Sequence, residues 1–246
     1  MIGDLTGNLT DDIAQGWPPS LTDKVANLTG VFGMHDPYDA SKLFTDETGA
    51  TQAVIGSTVG LVRDASAISV SNSMVQATAQ NRPTLIEETI GSNPLAVRAL
   101  RYDGVNNFMI MDFPGGSGPS DGSFLFKYRS TDTVFIYARG SSDAGKYVFY
   151  GDSGTGAPYA GAGTPEIFVD GVQYTQQNTL SAASSDNNWH IGEAKGGDFS
   201  SWTSLDVCAY GGPYRMQADI ARAIHCNTST LNANRGLILN WLNEGF

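Results

Sequence analysis

Residues 140–146 read GSSDAGK, which fits the G-x-x-x-x-G-K pattern of a phosphate-binding loop and follows a strand-like run, TVFIYARG. Such a loop needs a Ser or Thr directly after the lysine, to bind magnesium, and then a helix whose N-terminus holds the phosphates. Here Tyr147 follows the lysine, and the run YVFYG is strand-like. The segment therefore predicts a hairpin loop that joins residues 133–139 to residues 146–150, rather than a nucleotide site.

Nucleophilic or metal-assisted chemistry has few candidate side chains. The chain has three histidines, His35, His190 and His225, and it has no G-x-S-x-G nucleophile elbow. The two cysteines, Cys208 and Cys226, are too few for a disulfide framework, and their spacing is not that of a metal site. We therefore expect no catalytic residue and no cofactor from this set, and we interpret the cysteines as buried free thiols.

Paired carboxylates are the next kind of chemistry to consider. Glycoside hydrolysis usually uses two carboxyl groups about 5–9.5 Å apart. Glu166 and Asp170 would share a face of one strand, but four strand residues span about 13 Å. Glu87 and Glu88 are adjacent and would point to opposite faces of a strand. These spacings predict a protein that is not an enzyme, although acids that converge from separate strands would leave a divergent glycoside hydrolase as an alternative.

Aromatic side chains in or beside glycine-rich loops are the remaining candidates. Exposed rings near loop Asn and Asp residues suit sugars, because they offer an apolar platform surrounded by hydrogen-bonding groups. The same rings could also be core or loop anchors. The candidate glycan-binding residues are Tyr150, Tyr159, Trp202, Tyr210 and Tyr214.

The overall composition excludes some partners. The chain has 246 residues and a formal net charge of −11, with 25 acidic residues against 14 Lys and Arg. That balance argues against nucleic acid, because phosphate binding needs clustered basic residues. The first residues have neither a basic n-region nor an apolar h-region, and no window approaches the roughly 18 apolar residues of a membrane span. The sequence thus predicts neither a signal peptide nor a membrane partner.

Short strand-like runs dominate the chain after residue 30. They are rich in β-branched and aromatic residues and are separated by Gly, Asn, Asp or Ser, as in a sandwich or barrel. Asp170-Gly171 matches a two-residue hairpin turn. Apolar residues at helical spacing predict one closing helix at about residues 230–243. We expect an all-β, two-sheet antiparallel β-sandwich with a C-terminal helix and a core that includes Val134, Ile136, Val148, Ile167 and Val169.

Residues 1–30 differ from the rest of the chain. They are polar and are interrupted by Gly16, Pro18 and Pro19. Two interpretations remain open for them, a disordered leader and an arm that becomes ordered on a partner. The expected division is therefore an N-terminal arm at 1–30 and a β-sandwich domain at 31–246.

Several segments, in order, resemble the concanavalin A-like lectin/glucanase superfamily, in the laminin-G-like branch found in bacteriophage and prophage structural proteins. Residues 36–66 are similar to its opening, with a short helix, the turn TGAT and a VG…D strand. MVQATAQNRPTL (74–85) and ALRYDGVNNFMI (99–110) are similar to its next two segments. PEIFVDGVQY (165–174), WHIGEA (189–194) and the tail from residue 218 complete the likeness. The resemblance implies a jelly-roll sandwich over residues 31–246.

RYDGVNNFMI (101–110) is interpreted as a strand, a tight turn and a strand. Family members often carry two acids where this chain has Asn106 and Asn107. A calcium site draws on oxygen ligands, usually with several carboxylates. Asp103 with the two asparagines is therefore a weak calcium candidate, and no metal is expected.

By resemblance, the chain is expected to be a non-enzymatic bacteriophage virion protein: a head decoration, a fibre or spike, or a tail receptor-binding module. The arm at residues 1–30 would bind other virion proteins, the lectin-like domain would face outward, and the protein would be a homo-oligomer assembled in the host cytoplasm. A host-surface glycan is a further candidate partner. A carbohydrate-binding adhesin of a cell surface and a divergent glycoside hydrolase are the alternatives.

Overall fold

The computed structural model describes residues 20–67, 72–90, 96–140, 145–210 and 214–246. These residues form two large antiparallel sheets, one two-stranded sheet and three α-helices. The helices are α1 (Leu21–Ala26), α2 (Gln177–Ser184) and α3 (Thr228–Leu242), and short 3-10 helices span Ala40–Lys42, Ala79–Asn81 and Pro114–Gly116.

Sheet I contains, in spatial order, β13 (Val172–Tyr174), β12 (Glu166–Val169), β14 (His190–Gly197), β8 (Gly122–Ser130), β18 (Gln217–Asn227), β6 (Ala96–Asp103) and β5 (Thr84–Thr89), and β1 (Val31–His35) also pairs with β18. Sheet II contains β11 (Tyr159–Ala160), β10 (Tyr147–Gly151), β9 (Phe135–Gly140), β15 (Ser204–Val207), β7 (Met109–Asp112), β4 (Met74–Val75), β3 (Leu61–Val62) and β2 (Leu43–Phe44). The small sheet pairs β16 (Ala209–Tyr210) with β17 (Tyr214–Arg215).

The main core lies between sheets I and II and is rich in aromatic rings. Phe126 of β8 stacks on Tyr137 of β9 with ring centroids 3.6 Å apart, and it meets Phe149 of β10 edge to face at 4.9 Å. Gly192 of β14 makes room for this cluster, since a Cβ there would lie 2.5 Å from the Phe126 ring. Two antiparallel sheets that bury a shared face form a β-sandwich, as predicted.

Four of the five core residues expected from alternation are buried. Ile136, Val148, Ile167 and Val169 are each at most 3% exposed. The expectation for Val134 is wrong, because this side chain is 41% exposed. Val134 lies in the bend before β9, which begins at Phe135. The alternation of inward-facing and outward-facing side chains along the strand therefore does not extend to Val134.

Two predicted hairpins are confirmed. Asp170 (φ 49°) and Gly171 (φ 82°) both have a left-handed backbone between β12 and β13. A two-residue type I′ hairpin turn requires a positive φ at both of its central residues. Strands β9 and β10 pair antiparallel, and the amide of Gly140 donates to the carbonyl of Lys146 at 3.1 Å. The GSSDAGK segment therefore joins two paired strands; its residues 141–144 lie outside the described residues.

The segment RYDGVNNFMI is not a hairpin within one sheet. Its first strand, β6, pairs with β5 and β18 in sheet I, whereas β7 pairs with β15 and β4 in sheet II. The turn, in which Gly104 has φ 73°, therefore carries the chain from one sheet to the other. Phe108 does not return into a strand, since β7 begins at Met109.

The N-terminal boundary predicted at residue 30 is also wrong. Helix α1 begins after Ser20, whose hydroxyl and Asp23 form a reciprocal capping box, and its Val25 is fully buried in a second core beneath α3. The indole N–H of Trp241 donates to the Thr22 hydroxyl at 3.2 Å. Residues 20–30 thus belong to the folded domain, while residues 1–19 of the predicted arm lie outside the described residues. The predicted closing helix at 230–243 is confirmed as α3.

Candidate functional site

An open groove of about 510 Å³ lies where β6 and β8 end and β18 begins, beside the 3-10 helix Ala79–Asn81. Most of its lining residues are polar, and Ala79, Ala218 and Tyr102 contribute apolar surface. The lining residues are Thr58, Ala79, Gln80, Arg82, Thr84, Arg101, Tyr102, Asp103, Asn107, Arg129, Ser130, Thr131, Asn187, Gln217, Ala218 and Asp219. A volume of this size falls within the range of small-molecule sites.

Strand register places two arginines on either side of one aspartate in this groove. Asp219 of β18 lies directly opposite Arg101 of β6 and Arg129 of β8. Its two carboxylate oxygens accept from Nε and Nη2 of Arg101 at 2.8 and 2.9 Å. Arg129 donates to the same carboxylate through Nε at 3.2 Å and through Nη2. The buried carboxylate therefore holds both guanidinium groups in place.

A second carboxylate closes the network. The two oxygens of Glu88 accept from Nη2 of Arg101 and from Nη2 of Arg129, both at 2.7 Å. The Arg129 guanidinium also lies over the Trp189 ring, 5.0 Å from its centroid. Burial alone raises the pKa of Glu88, but hydrogen bonds from the two arginines outweigh it and the net pKa is lowered. Glu88 is thus an anion at neutral pH and positions the arginines.

The calcium candidates form an internal turn beside the groove. Asp103 Oδ1 accepts from the backbone amides of Val105, Asn106 and Asn107 at 2.9, 3.1 and 3.1 Å. Asn107 Oδ1 accepts in turn from the Asp103 amide at 3.2 Å. These oxygens satisfy the backbone of the crossing between the two sheets. Among the described residues, no group of three or more His, Cys, Asp or Glu residues could hold a metal ion.

The three aromatic glycan candidates whose side chains the structure describes do not form an open platform. Trp202 is fully buried, and its indole N–H donates to the Gly161 carbonyl at 2.7 Å. Tyr150 is 8% exposed, with its hydroxyl bonded to Asp152 at 2.6 Å, and Tyr159 is half-buried against the main core. None of these three lines the groove. The side chains of Tyr210 and Tyr214 lie outside the described part of the structure.

His190 lies between two carboxylates. Asp170 Oδ2 is 2.7 Å from Nδ1, and Asp186 Oδ1 is 2.7 Å from Nε2. Two carboxylate acceptors require both ring nitrogens to donate, so the ring is an imidazolium. Burial alone lowers the pKa of His190, but the hydrogen bonds to Asp170 and Asp186 outweigh it and the net pKa is raised. The ring therefore connects two turns and has no free nitrogen to act as a base.

The other two histidines and both cysteines are buried. His225 Nε2 is 2.9 Å from the Tyr137 hydroxyl, and His35 Nε2 is 3.0 Å from the Asn72 carbonyl. Burial lowers the pKa of both rings, so they are neutral in the folded protein. Cys208 and Cys226 are free and buried, as predicted, and burial raises the pKa of the Cys226 thiol to about 12.

The sequence signals for the groove were present but incomplete. Arg101 lies in the segment RYDGVNNFMI, and Arg129 and Asp219 each sit in an apolar strand-like run where a charged residue needs a partner. Asp219 lies 118 residues from Arg101 and 90 residues from Arg129 along the chain. The partners could not be identified because strand pairing, and not sequence spacing, brings them together.

None of the helices in the described part of the chain is both long and apolar enough to cross a membrane.

Comparison of the chain with family models, curated proteins and solved structures finds no match. The groove and the sequence patterns are therefore the features that point to a function.

Proposed function

We propose that the chain is a non-enzymatic binding domain of a bacteriophage particle, built on a concanavalin A-like jelly-roll, and that the groove holds its ligand, a saccharide. The observation that carries this proposal is the rigid arginine pair inside an open polar groove. Asp219 and Glu88 hold Arg101 and Arg129 in place before any ligand arrives. Donors fixed in advance lower the entropic cost of binding.

The other lining groups suit a saccharide. Gln80, Asn187 and Gln217 offer amide donors and acceptors, while Thr58, Thr84 and Thr131 offer hydroxyls. Sugars present closely spaced hydroxyl groups, which such a mixture of donors and acceptors can match. The groove is open to solvent and is lined mostly by polar residues. A polar surface of this kind keeps a protein with an exposed recognition site soluble.

Two carboxylates of the site, Asp103 of the lining and Glu88 behind the arginines, favour binding over hydrolysis. A catalytic general acid needs a raised pKa. Burial alone raises the pKa of Asp103, but hydrogen bonds from the amides of Val105, Asn106 and Asn107 outweigh it and the net pKa is lowered, as it is for Glu88. Both groups are therefore anions that orient their neighbours.

One observation favours a divergent glycoside hydrolase as the second candidate. Asp132 follows Thr131 of the groove wall, and burial raises its pKa against the opposing hydrogen bond from the Gln217 amide. A half-buried acid next to a polar groove could act as a proton donor. Measuring polysaccharide turnover by the wild-type protein and by Asp132→Asn tests whether Asp132 has this role.

Replacing Asn187 or Gln217 by alanine is expected to weaken saccharide binding about tenfold, because each change removes one polar contact of about 1 kcal/mol or more. Both side chains are exposed, so both variants should fold. Alanine at Asn187, whose φ is 64°, adds some backbone strain, whereas Gln217→Ala does not. A glycan array identifies the ligand, and titration of the variants measures the loss. Gln173→Ala, on the exposed strand β13, is the matched control and should bind normally.

Two outcomes would contradict the proposal. One is an array on which no saccharide binds. The other is turnover of a polysaccharide by the wild-type protein that Asp132→Asn abolishes, which would identify the hydrolase instead.

Removing residues 1–19 is expected to leave a folded protein that no longer joins phage particles. The deletion stops before Ser20 because α1 and its capping box belong to the second core. Incorporation is measured by quantifying the protein in purified particles of the phage that encodes it, with Asn187→Ala as a control that should incorporate normally. Normal incorporation of the truncated protein would show that these residues do not attach the domain.

A further inference from the structure

The turn before β14 contributes to the groove through two of its residues. Asn187 lines the groove, and the Arg129 guanidinium, also part of the lining, lies over the Trp189 ring. Asn187 has a left-handed backbone, and its amide donates at 3.0 Å to the carbonyl of Ser130, another lining residue. The position of this turn therefore decides where one part of the groove wall lies.

The ring of His190 anchors this turn. Its Nε2 is 2.7 Å from Oδ1 of Asp186, which belongs to the turn, and its Nδ1 is 2.7 Å from Oδ2 of Asp170, in the hairpin between β12 and β13. The two oxygens of Asp186 also accept from the backbone and side-chain amides of Asn188, at 2.8 and 2.7 Å. The ring and Asp186 thus hold the chain on both sides of Asn187.

This bridge depends on two ring protons. An imidazolium donates from both nitrogens, whereas a neutral ring has one donor for two carboxylates. Loss of the proton therefore removes one hydrogen bond and also the positive charge that strengthens the other. It also leaves Asp170 and Asp186 as two anions with no cation between them, so the hold on Asp186 weakens whichever nitrogen keeps its proton.

The two carboxylates keep the ring charged in the folded protein. Burial alone lowers the pKa of His190, but the hydrogen bonds to Asp170 and Asp186 outweigh it, so the pKa lies above its ordinary value of about 6.5. The hydrogen bond from His190 lowers the pKa of Asp186 to about 2. Asp186 is therefore an anion at every pH at which the ring changes its charge.

The other titratable side chains near the ring lie on β8 and β13. Tyr128 of β8 lies opposite His190 in the sheet and stays neutral, because burial raises its pKa. Burial lowers the pKa of its neighbour Lys127, against the attraction of Asp170. Tyr174 of β13 lies close to Tyr128, and helix α2, which packs beside it, carries no titratable side chain.

We infer that His190 is a positioning residue of the saccharide groove, and that its imidazolium holds Asn187 in the groove wall through Asp186, so that saccharide binding weakens when the ring loses its proton. This inference rests on the proposed function, since it concerns regulation of the same groove. Because the folded protein raises the pKa of His190, the contact is complete below about pH 6.5 and is lost as the pH rises through that higher value. Among the described lining residues there is no histidine, cysteine or lysine, so another origin of this pH dependence in the lining is not expected.

The test combines an NMR titration of the full chain with a glycan array that is probed at about pH 6 and about pH 9, on either side of the ring's transition. The ring nitrogen signals report the protonation of His190, and the amide signals of Asn187 report the position of the turn. Both sets of signals should change with the same midpoint. Binding on the array should be about fivefold weaker at the higher pH, as for a hydrogen bond that loses its charge.

Asp170→Asn should move both midpoints to lower pH, because it removes an anion that raises the pKa of His190. The asparagine keeps Oδ1, which accepts from the Ile191 amide at 2.8 Å, and it tolerates the left-handed backbone at this position. Glu166→Gln is the matched control, since it removes a carboxylate of β12 that pairs with Lys195 at 3.5 Å and should leave both midpoints unchanged.

His190→Gln, which is neutral at every pH, should give a flat pH profile. A role of His190 in folding alone would not shift a midpoint in Asp170→Asn. Signals of Asn187 that do not follow the ring would overturn the inference. Equal binding on the array at both pH values would overturn it as well and leave the proposed function standing. If no saccharide binds at either pH, the proposed function fails, and the NMR titration alone decides whether His190 positions Asn187.

Discussion

Replacing Arg222 by methionine is expected to lower the free energy of unfolding by about 3–5 kcal/mol. Arg222 of β18 pairs with Asp36 at 3.1 Å, and the two side chains are only 4% and 2% exposed. Its Nη1 also donates to the backbone carbonyls of Trp241 and Glu244, at the end of α3. Removing the guanidinium leaves a buried carboxylate and the last carbonyls of a helix without their partner, and both are costly.

Urea denaturation of the wild-type and variant proteins measures this loss. The matched control is Arg98→Met, which breaks an arginine–glutamate pair whose side chains are 34% and 36% exposed. Exposed pairs contribute about 0–1 kcal/mol, so the control should change stability little. A second variant, with Asp36→Leu added to Arg222→Met, should recover part of the loss, because it removes the uncompensated charge. Equal effects of the two single changes would contradict the burial argument.

Trp202→Ala is expected to destabilise the protein by about 3–5 kcal/mol, as large truncations in a packed core do. The indole is fully buried and meets the Phe199 ring edge to face at 5.1 Å. Its N–H donates to the Gly161 carbonyl, which loses this partner in the variant. The side chain thus anchors the glycine-rich loop around residue 161 to the core, and its removal leaves a cavity.

Thermal or urea unfolding checks this prediction, together with saccharide titration at a temperature where the variant is still folded. Binding by the folded variant should match that of the wild type, because Trp202 does not line the groove. Trp202→Phe should cost less, since it keeps part of the buried ring. Val134→Ala, at a 41% exposed position, is the control and should stay within about 0.5 kcal/mol. Unchanged stability with lost saccharide binding would restore Trp202 as a glycan-binding residue.

Features that depend on neighbouring residues followed from the sequence alone. Asp170-Gly171 specified its hairpin turn, because two successive left-handed residues favour these two types. The spacing of Leu231, Ile238 and Trp241 specified the closing helix, whose buried side these residues form. The short apolar runs specified a β protein. In each case the signal and the structure lie within a few residues of each other.

Features that depend on distant parts of the chain were decided only by the tertiary structure. A turn such as that in RYDGVNNFMI looks the same whether the next strand joins the same sheet or the opposite one, and here β6 and β7 lie in different sheets. Burial of Trp202 and docking of residues 20–30 depend on surfaces formed by other segments. The groove depends on Asp219 meeting Arg101 across 118 residues of chain. Strand order and register bring these charges together, and no local pattern in the sequence encodes that pairing.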